Sequence, residues 1–467
     1  MFFYNKIIKK LGLSLDLDKH EYHKIVWLTV TFFCVIGSYT VLKEMKDVLF
    51  AQIVGSDCLY IVKILSMIVL LPATLLYARL VDKMNRLHLL MFYSFLYGIG
   101  GIVIAYFLAD PAMGLANKTP DCHRYFGWVI YLFYEGVVPF VVSVFWAFCN
   151  SITGPETAKK GYALIIAGSK LGGMFMAGTA WLLFSHSTIF GVWNPTSIGL
   201  NQFLLVFSSL VLAISPFFIS YLMKSGSKKE LEGYHAVYKF EEEQEKEGKS
   251  DTGVLSGISM FYKYPYILGI FGIFFFYELI NVVLGIQRTI ILQTTAKDAI
   301  EFSGQMFEQR FWMHFVGFFV SFFGSRILIK KLGERICLTL MPIIVGGLLC
   351  YLMLAYDATA IKLTFMALGM LNYSFSSPLR EALYIPTVKD IRFKSKSWIE
   401  SFGQRFAKSC GSGVIGFIGK IALLGSPLYM MLFSSFYATV IILWTILAWF
   451  LGKKYESVVK NKEIIGG

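Results

Sequence analysis

The chain runs to 467 residues, of which 56% are hydrophobic, 17% aromatic and only 16% charged, with a formal net charge of +13. A soluble domain of this size needs far more polar surface, so the composition excludes a water-borne globular protein and points to lipid as the solvent. The positive balance alone would suit a nucleic-acid binder, but its placement along the chain argues against one.

The segment 1–24 carries Lys6, Lys9, Lys10, Lys19 and Lys24. It lacks the short apolar core and small-residue cleavage site of a secretory signal, and it is not the Ser/Arg-rich, acid-poor stretch of a transit peptide. With Phe2, Ile7 and Leu11 set between lysines, it suits an interfacial helix lying on the membrane face. Six apolar runs follow, near 25–47, 57–80, 87–109, 127–150, 162–185 and 201–223. Each supplies the roughly 20 apolar residues that a helical bilayer crossing needs. Residues 224–264 are polar, with Lys228-Lys229-Glu230 and an acidic run from Glu241 to Glu247, and read as a solvated charged linker. Six further runs lie near 265–294, 306–328, 336–356, 360–380, 398–423 and 428–452, before a tail at 453–467 with Lys453, Lys454, Lys460 and Lys462. The expected fold is an all-α polytopic membrane protein of about twelve transmembrane helices in two six-helix bundles, 25–223 and 265–452.

With the N-terminus cytoplasmic and the spans alternating, roughly thirty Lys and Arg fall in cytoplasmic segments against about four in the opposite loops. That bias orients the protein with both termini inside, and it implies contact with membrane lipids and no nucleic-acid partner. The seven cysteines show no metal-ligand or redox spacing. Cys34, Cys149, Cys337, Cys350 and Cys410 lie in or beside spans and read as packing residues. Cys58 and Cys122 both fall toward the outer side, where a disulfide between them is an option.

The halves echo each other. Ala78-Arg79-Leu80-Val81-Asp82-Lys83-Met84-Asn85-Arg86 follows span two, and Gly324-Ser325-Arg326-Ile327-Leu328-Ile329-Lys330-Lys331-Leu332-Gly333-Glu334-Arg335 follows span eight. Both resemble the loop between the second and third helices in each half of major facilitator transporters. Short loops of this kind place cations at the C-termini of neighbouring helices. Repeated halves around a central site are what alternating access requires.

Ionisable residues inside the spans are expensive in lipid and therefore informative. They are Lys43, Glu44, Lys46 and Asp47 in span one, Lys63 in span two, Glu135 in span four, Lys170 in span five, and Glu278 and Arg288 in span seven. Span eight carries Glu308, Arg310 and His314, span ten Arg380 and Glu381, and span eleven Glu400, Arg405 and Lys408. Lys43 and Asp47, four apart, are placed to pair within one turn. Glu308 and Arg310 point about 200° apart on a helix and should pair elsewhere. Nine Lys and Arg against seven Asp and Glu leave two cations over, enough to draw an anion into a central cavity. His314 reads as a packed hydrogen-bonding residue. No Gly-x-x-x-x-Gly-Lys-Ser/Thr motif and no histidine cluster occur, so neither ATP hydrolysis nor a bound metal or cofactor is expected, and the chain is not an enzyme.

Several segments resemble the nucleotide transporter family, the ATP:ADP antiporters of obligate intracellular bacteria and plastids. These are Leu42-Lys43-Glu44-Met45-Lys46-Asp47, Phe145-Trp146 through Asn150-Ser151-Ile152-Thr153 with Ala158-Lys159-Lys160, Gly304-Gln305, and Tyr384-Ile385-Pro386 followed by Lys394, Glu400, Arg405 and Lys408-Ser409-Cys410-Gly411, with Lys454-Tyr455 near the end. The resemblance implies import of a nucleotide by exchange or proton symport across a bacterial inner membrane. Lys46 carries over as a cavity lysine, and Lys408 or Lys394 as a second.

Three segments depart from the family pattern. In the seventh helix, Asn281 is followed by Leu284 where the family has Glu and by Gln287 where it has Trp. In span four, Glu135 is displaced by one residue relative to Trp146, a turn of about 100° on a regular helix. Before Tyr384, Ser376-Ser377 replaces Phe-Asp. Lys170, Glu308 and Arg310 are additions.

The expected substrate-binding set is Lys46, Lys63, Lys170, Asn281, Arg288, Arg310 and Lys408. The expected coupling carboxylates, with protons as the partner, are Glu135, Glu278, Glu308, Asp47 and Glu400. Two other readings stand beside a nucleotide importer. One is a proton-coupled importer of a neutral polyol or cyclitol, using Glu135 or Glu278, since burial in an apolar span favours the protonated carboxyl. The other is a non-transporting membrane receptor.

Overall fold

A bilayer core offers no partners to peptide groups, so a chain this apolar must close its backbone hydrogen bonds within helices. The computed structural model describes residues 19–153, 155–185, 196–225, 263–323, 332–372, 377–384, 386–387, 398–399, 403–461, 463 and 465, and among these almost every element is helical. In chain order they are α1 (Lys19–Ile53), α2 (Leu59–Lys83), α3 (Arg86–Phe107), α4 (Tyr125–Glu135), α5 (Ser143–Ile152), α6 (Pro155–Ser185) and α7 (Ser197–Ser225). The second set is α8 (Pro265–Thr295), α9 (Ala299–Phe323), α10 (Glu334–Ala355), α11 (Ala358–Leu371), α12 (Ser377–Leu383), α13 (Gln404–Ile421) and α14 (Pro427–Lys460).

Local sequence explains several boundaries. Asn85, Asp357 and Ser426 cap α3, α11 and α14 by accepting from the N–H groups of His88, Ala360 and Tyr429. Pro265 and Pro427 open α8 and α14, at the position where a missing N–H costs nothing.

Helices occupy the places of all twelve expected spans. Among the described residues nine stretches are long and apolar enough to cross a membrane. Span four is built from α4 and α5, joined through a π-helical turn at Val138–Val142. Spans eight, ten and eleven are represented by α9, by α11 with α12, and by α13. The first is interrupted by Glu301, Glu308 and Arg310, and the other two are short. The interfacial helix expected within 1–24, most of the 224–264 linker and the basic turn 324–331 lie outside the described residues. The first basic turn does what its charge suggests: Arg86 donates to the Ala147 carbonyl of α5 at 3.2 Å.

Within the first set α1 packs on α6 and α7, and α3 on α7. Within the second α8 packs on α13 and α14, and α10 on α14. Two seams join the sets, α6 against α9 and α2 against α13. Close approach at α1 and α6 depends on glycine. A Cβ on Gly37 would lie 3.0 Å from the Gly172 carbonyl oxygen, and one on Gly172 would overlap the Phe33 carbonyl. Such small-residue contacts let helices pack tightly where lipid gives no hydrophobic drive.

Cys58 and Cys122 form a disulfide that ties the start of α2 to the loop before α4. This loop is further held by Arg124, which donates to the Asn117, Thr119 and Met113 carbonyls at 3.2, 3.0 and 3.2 Å. Gly172→Ala should lower the thermal midpoint of the purified protein, corresponding to about 1–3 kcal/mol of overpacking. An unchanged midpoint would show that α1 can move away from α6 without penalty.

A cationic cavity between the two helix sets

A cavity of about 650 Å³ lies between the two sets, and helical periodicity delivers its wall. On α1 the lining residues are Tyr39, Lys43, Lys46 and Asp47. On α2 they are Lys63, Ser66, Met67 and Leu70. On α8 Phe274, Tyr277, Glu278, Asn281, Gly285 and Arg288 follow one stripe at three- and four-residue steps, and on α13 the stripe is Gln404, Arg405 and Lys408. Tyr131, Tyr134 and Glu135 line it from α4.

Eight cationic side chains face this space: Lys43, Lys46, Lys63, Arg288, Arg310, Arg380, Arg405 and Lys408. Three carboxylates face it too, Asp47, Glu135 and Glu278. Glu44, behind the wall and fully buried, makes four acids against eight bases, a surplus of four positive charges among the described residues.

Two carboxylates bridge the sets. Glu44 of α1 takes Arg288 of α8 on one oxygen at 2.9 Å and Arg310 of α9 on the other. Arg288 also donates to Gln309 at 2.7 Å and to the Met306 carbonyl at 2.8 Å, and its guanidinium lies 4.3 Å from the Phe365 ring centre. Nearer the disulfide, Gln293 donates to the Ala51 carbonyl at 2.8 Å and Gln52 to Ser303 at 3.4 Å, adding contacts across the sets. Within the cavity Glu135 pairs with Lys46 of α1 and, at 3.2 Å, with Lys408 of α13. The Lys46 ammonium lies 4.1 Å from the centre of the Tyr131 ring, whose hydroxyl accepts from Lys63 at 3.0 Å.

Most of the expected set meets here: Lys46, Lys63, Asn281, Arg288, Arg310, Lys408, Glu135, Glu278 and Asp47. Lys170 does not. It is buried on α6, away from the cavity wall and on the side of His314. Glu308 is also elsewhere. It pairs with Lys362 at 3.3 Å and lines a separate hollow of about 460 Å³ beside Trp181, Asp298 and Glu301. Glu400 and Lys394 lie outside the described residues.

Glu308 and Arg310 do pair apart, as their helical phase required. Asp47, expected to pair with Lys43, lies instead 3.8 Å from Lys63. His314 is packed, its Nε2 3.3 Å from the Thr40 hydroxyl across the sets.

The departures from the family pattern look different in three dimensions. Leu284 is fully buried and absent from the cavity wall, while Gln287 accepts from Tyr437 at 2.6 Å on α14. Those substitutions alter packing against neighbouring helices, not the cavity lining. Glu135 faces the cavity despite its one-residue displacement, because the π-helical turn between it and Trp146 resets the phase that a uniform helix would impose. Tyr131, Gln309, Phe365 and Gln404 were not singled out, since nothing in a sequence separates such residues from ordinary packing.

The profile described as TLC ATP/ADP transporter matches residues 8–110 and 122–455. Similar proteins include the ADP,ATP carrier protein 1 of Rickettsia bellii, 22% identical over 96% of each chain. The ADP,ATP carrier protein 1 of Chlamydia pneumoniae is 21% identical over 96% of this chain and 95% of that one. Among solved structures, a D-xylose-proton symporter superposes with a TM-score of 0.64 at 14% identity, covering 92% of this chain and 98% of the symporter. A bacterial homologue of the iron transporter ferroportin in its inward-facing state gives 0.61 at 13% identity, over 95% and 100%. The fold is therefore the major facilitator fold.

The Glu44 clamp predicts an asymmetric stability effect. Glu44→Gln leaves two buried guanidinium groups short of a counter-ion and should cost about 3–5 kcal/mol, read as a drop in thermal midpoint. The triple variant Glu44→Gln, Arg288→Met, Arg310→Met should recover most of that loss. A triple variant no more stable than Glu44→Gln would mean the three charges do not act as one unit.

Proposed function

The chain belongs to the TLC ATP/ADP transporter family, and we propose that this multi-pass membrane transporter imports a nucleotide, such as ATP, ADP or GTP, by exchange or proton symport. The surplus of four positive charges among the described residues of the cavity carries the reading, because a polyphosphate brings the compensating charge with it. A neutral polyol would leave that surplus uncompensated in a site of low dielectric. The volume, about 650 Å³, lies in the range of small-molecule sites.

Lys46 and Lys408 come from opposite sets and share Glu135. In this reading Glu135 is a resident counter-ion that the substrate's phosphates displace from the two lysines, and not an isolated proton carrier. Cargo bridging α1 and α13 then draws the two sets together, the differential contact that alternating access needs. The Gln293–Ala51 and Gln52–Ser303 contacts join the two sets nearest the disulfide. A disulfide suits an oxidising compartment, which supports reading that end as the non-cytoplasmic one, with both termini in the cytoplasm of a bacterial cell at its inner membrane.

Purified protein should be stabilised thermally by ATP or GTP and not by myo-inositol, since only a ligand of the folded state raises the midpoint. Lys46→Ala and Lys408→Ala should each weaken nucleotide affinity about tenfold, more at low salt than at high salt. Stabilisation by inositol with none by nucleotides would sink the proposal, as would failure of cells expressing the intact chain to accumulate any labelled nucleotide.

A further inference from the structure

Among the described residues, one carboxylate of the cavity is held by two side-chain amides and not by a bonded cation. Glu278, only 6% exposed, accepts from Asn281 on one carboxylate oxygen at 3.3 Å and from Gln404 on the other at 3.3 Å. Each carboxylate oxygen has two lone pairs, so one on each remains for a partner in the cavity. The amide oxygens of Asn281 and Gln404 add further acceptors. Lys46, Lys408, Arg288 and Arg310, by contrast, are donors only. Cations flank this corner of the cavity, Arg405 beside Gln404 and Arg380 with its guanidinium 4.9 Å from the Phe274 ring centre, but the acceptors face donors and not a phosphate.

The two chemistries are spaced along one helix. Glu278 and Arg288 lie ten residues apart on α8, about 15 Å along the axis, whereas on α13 Lys408 stands only one turn from Gln404. A ligand that satisfies both ends is elongated, anionic at one end and rich in N–H or O–H donors at the other. Phe274 and Tyr277 supply aromatic faces beside the acceptors, the Phe274 ring already facing the Arg380 guanidinium at 4.9 Å.

We propose that Glu278, held in place by Asn281 and Gln404, binds the nucleoside end of the transported nucleotide by accepting two adjacent donor hydrogens. This rests on the nucleotide reading above. Two donor pairs match a carboxylate in bidentate fashion, the N1–H and N2–H edge of guanine and the 2′,3′-diol of ribose. The adenine edge sets an acceptor nitrogen beside its amino group and matches poorly.

The test compares affinities of the purified full-length chain and of Glu278→Gln for GTP, ITP, ATP and 2′-deoxy-ATP. If the guanine edge is bound, GTP exceeds ITP, which lacks the 2-amino group, by about tenfold, and Glu278→Gln erases the difference. If the ribose is bound, ATP exceeds 2′-deoxy-ATP by about tenfold, with the same loss. Gln404→Ala, which keeps the carboxylate but loosens it, should shrink the same ratio about threefold and carries the test if Glu278→Gln does not fold. Ratios near one in the unaltered protein, or ratios that neither variant changes, overturn the assignment of Glu278 while leaving the nucleotide cargo intact. No binding of any of the four by the unaltered protein overturns both.

Discussion

The cost of a charge in a medium that cannot solvate it governs this molecule. In water the charged residues of its spans would be unremarked, whereas inside a bilayer each must find a counter-charge, a hydrogen-bond network or an aqueous cavity. Glu44 shows how stringent the demand is. A fully buried carboxylate is held by two guanidinium groups from the other helix set, and one of those is held further by Gln309, a backbone carbonyl and an aromatic face. The two sets are joined there by electrostatics more than by apolar contact, a joint that can be remade elsewhere when charges are redistributed.

Glu44 and Glu135 are alike in one respect: each takes two cations, at least one of them from the second set. They differ in surroundings. Glu44 is sealed behind the wall, while Glu135 faces the cavity, where an incoming anion can compete for Lys46 and Lys408. In the proposed function this divides the labour between a clamp that holds the two sets together and a counter-ion that yields to cargo. A buried ion pair is a poor source of net stability but a good source of registry, since breaking it without replacement is costly. That property suits a carrier with two closed forms and no stable half-way form.

Much of this was legible in the sequence. Hydropathy placed the helices, and the intramembrane charges marked eleven of the cavity residues. What the sequence could not convey was which face each charge occupies once helices tilt and bulge. Lys170 and Glu308 have the same chemical character as Lys46 and Glu135, yet one packs on α6 beside His314 and the other meets Lys362 outside the cavity. Asp47 pairs across to Lys63 of α2, while Lys43 four residues earlier lies with its ammonium 5.7 Å from the Tyr39 ring centre, one turn back on its own helix. Glu135 was misphased because a π-helical turn is invisible to a count made at 3.6 residues per turn. Polar and aromatic partners such as Gln404, Gln309 and Tyr131 were missed because their composition is that of any helix interface.

The altered family positions carry a further lesson about how substrate choice can change. Leu284 and Gln287 stand where the family has Glu and Trp, and a linear reading makes them losses from the site. On α8 as folded, the cavity stripe runs through Glu278, Asn281, Gly285 and Arg288, so residues 284 and 287 fall on the faces that pack against other helices. Leu284 is fully buried on a packed face, while Glu278 stands one turn before Asn281 on the open one. The stripe keeps a cation at one end and an acid nearer its middle, and the acid's position decides where along the cavity a donor group is welcome. Moving one carboxylate along a helix by a turn or two leaves the fold and the phosphate-attracting cations unchanged. It alters what the cavity accepts at the far end of the cargo.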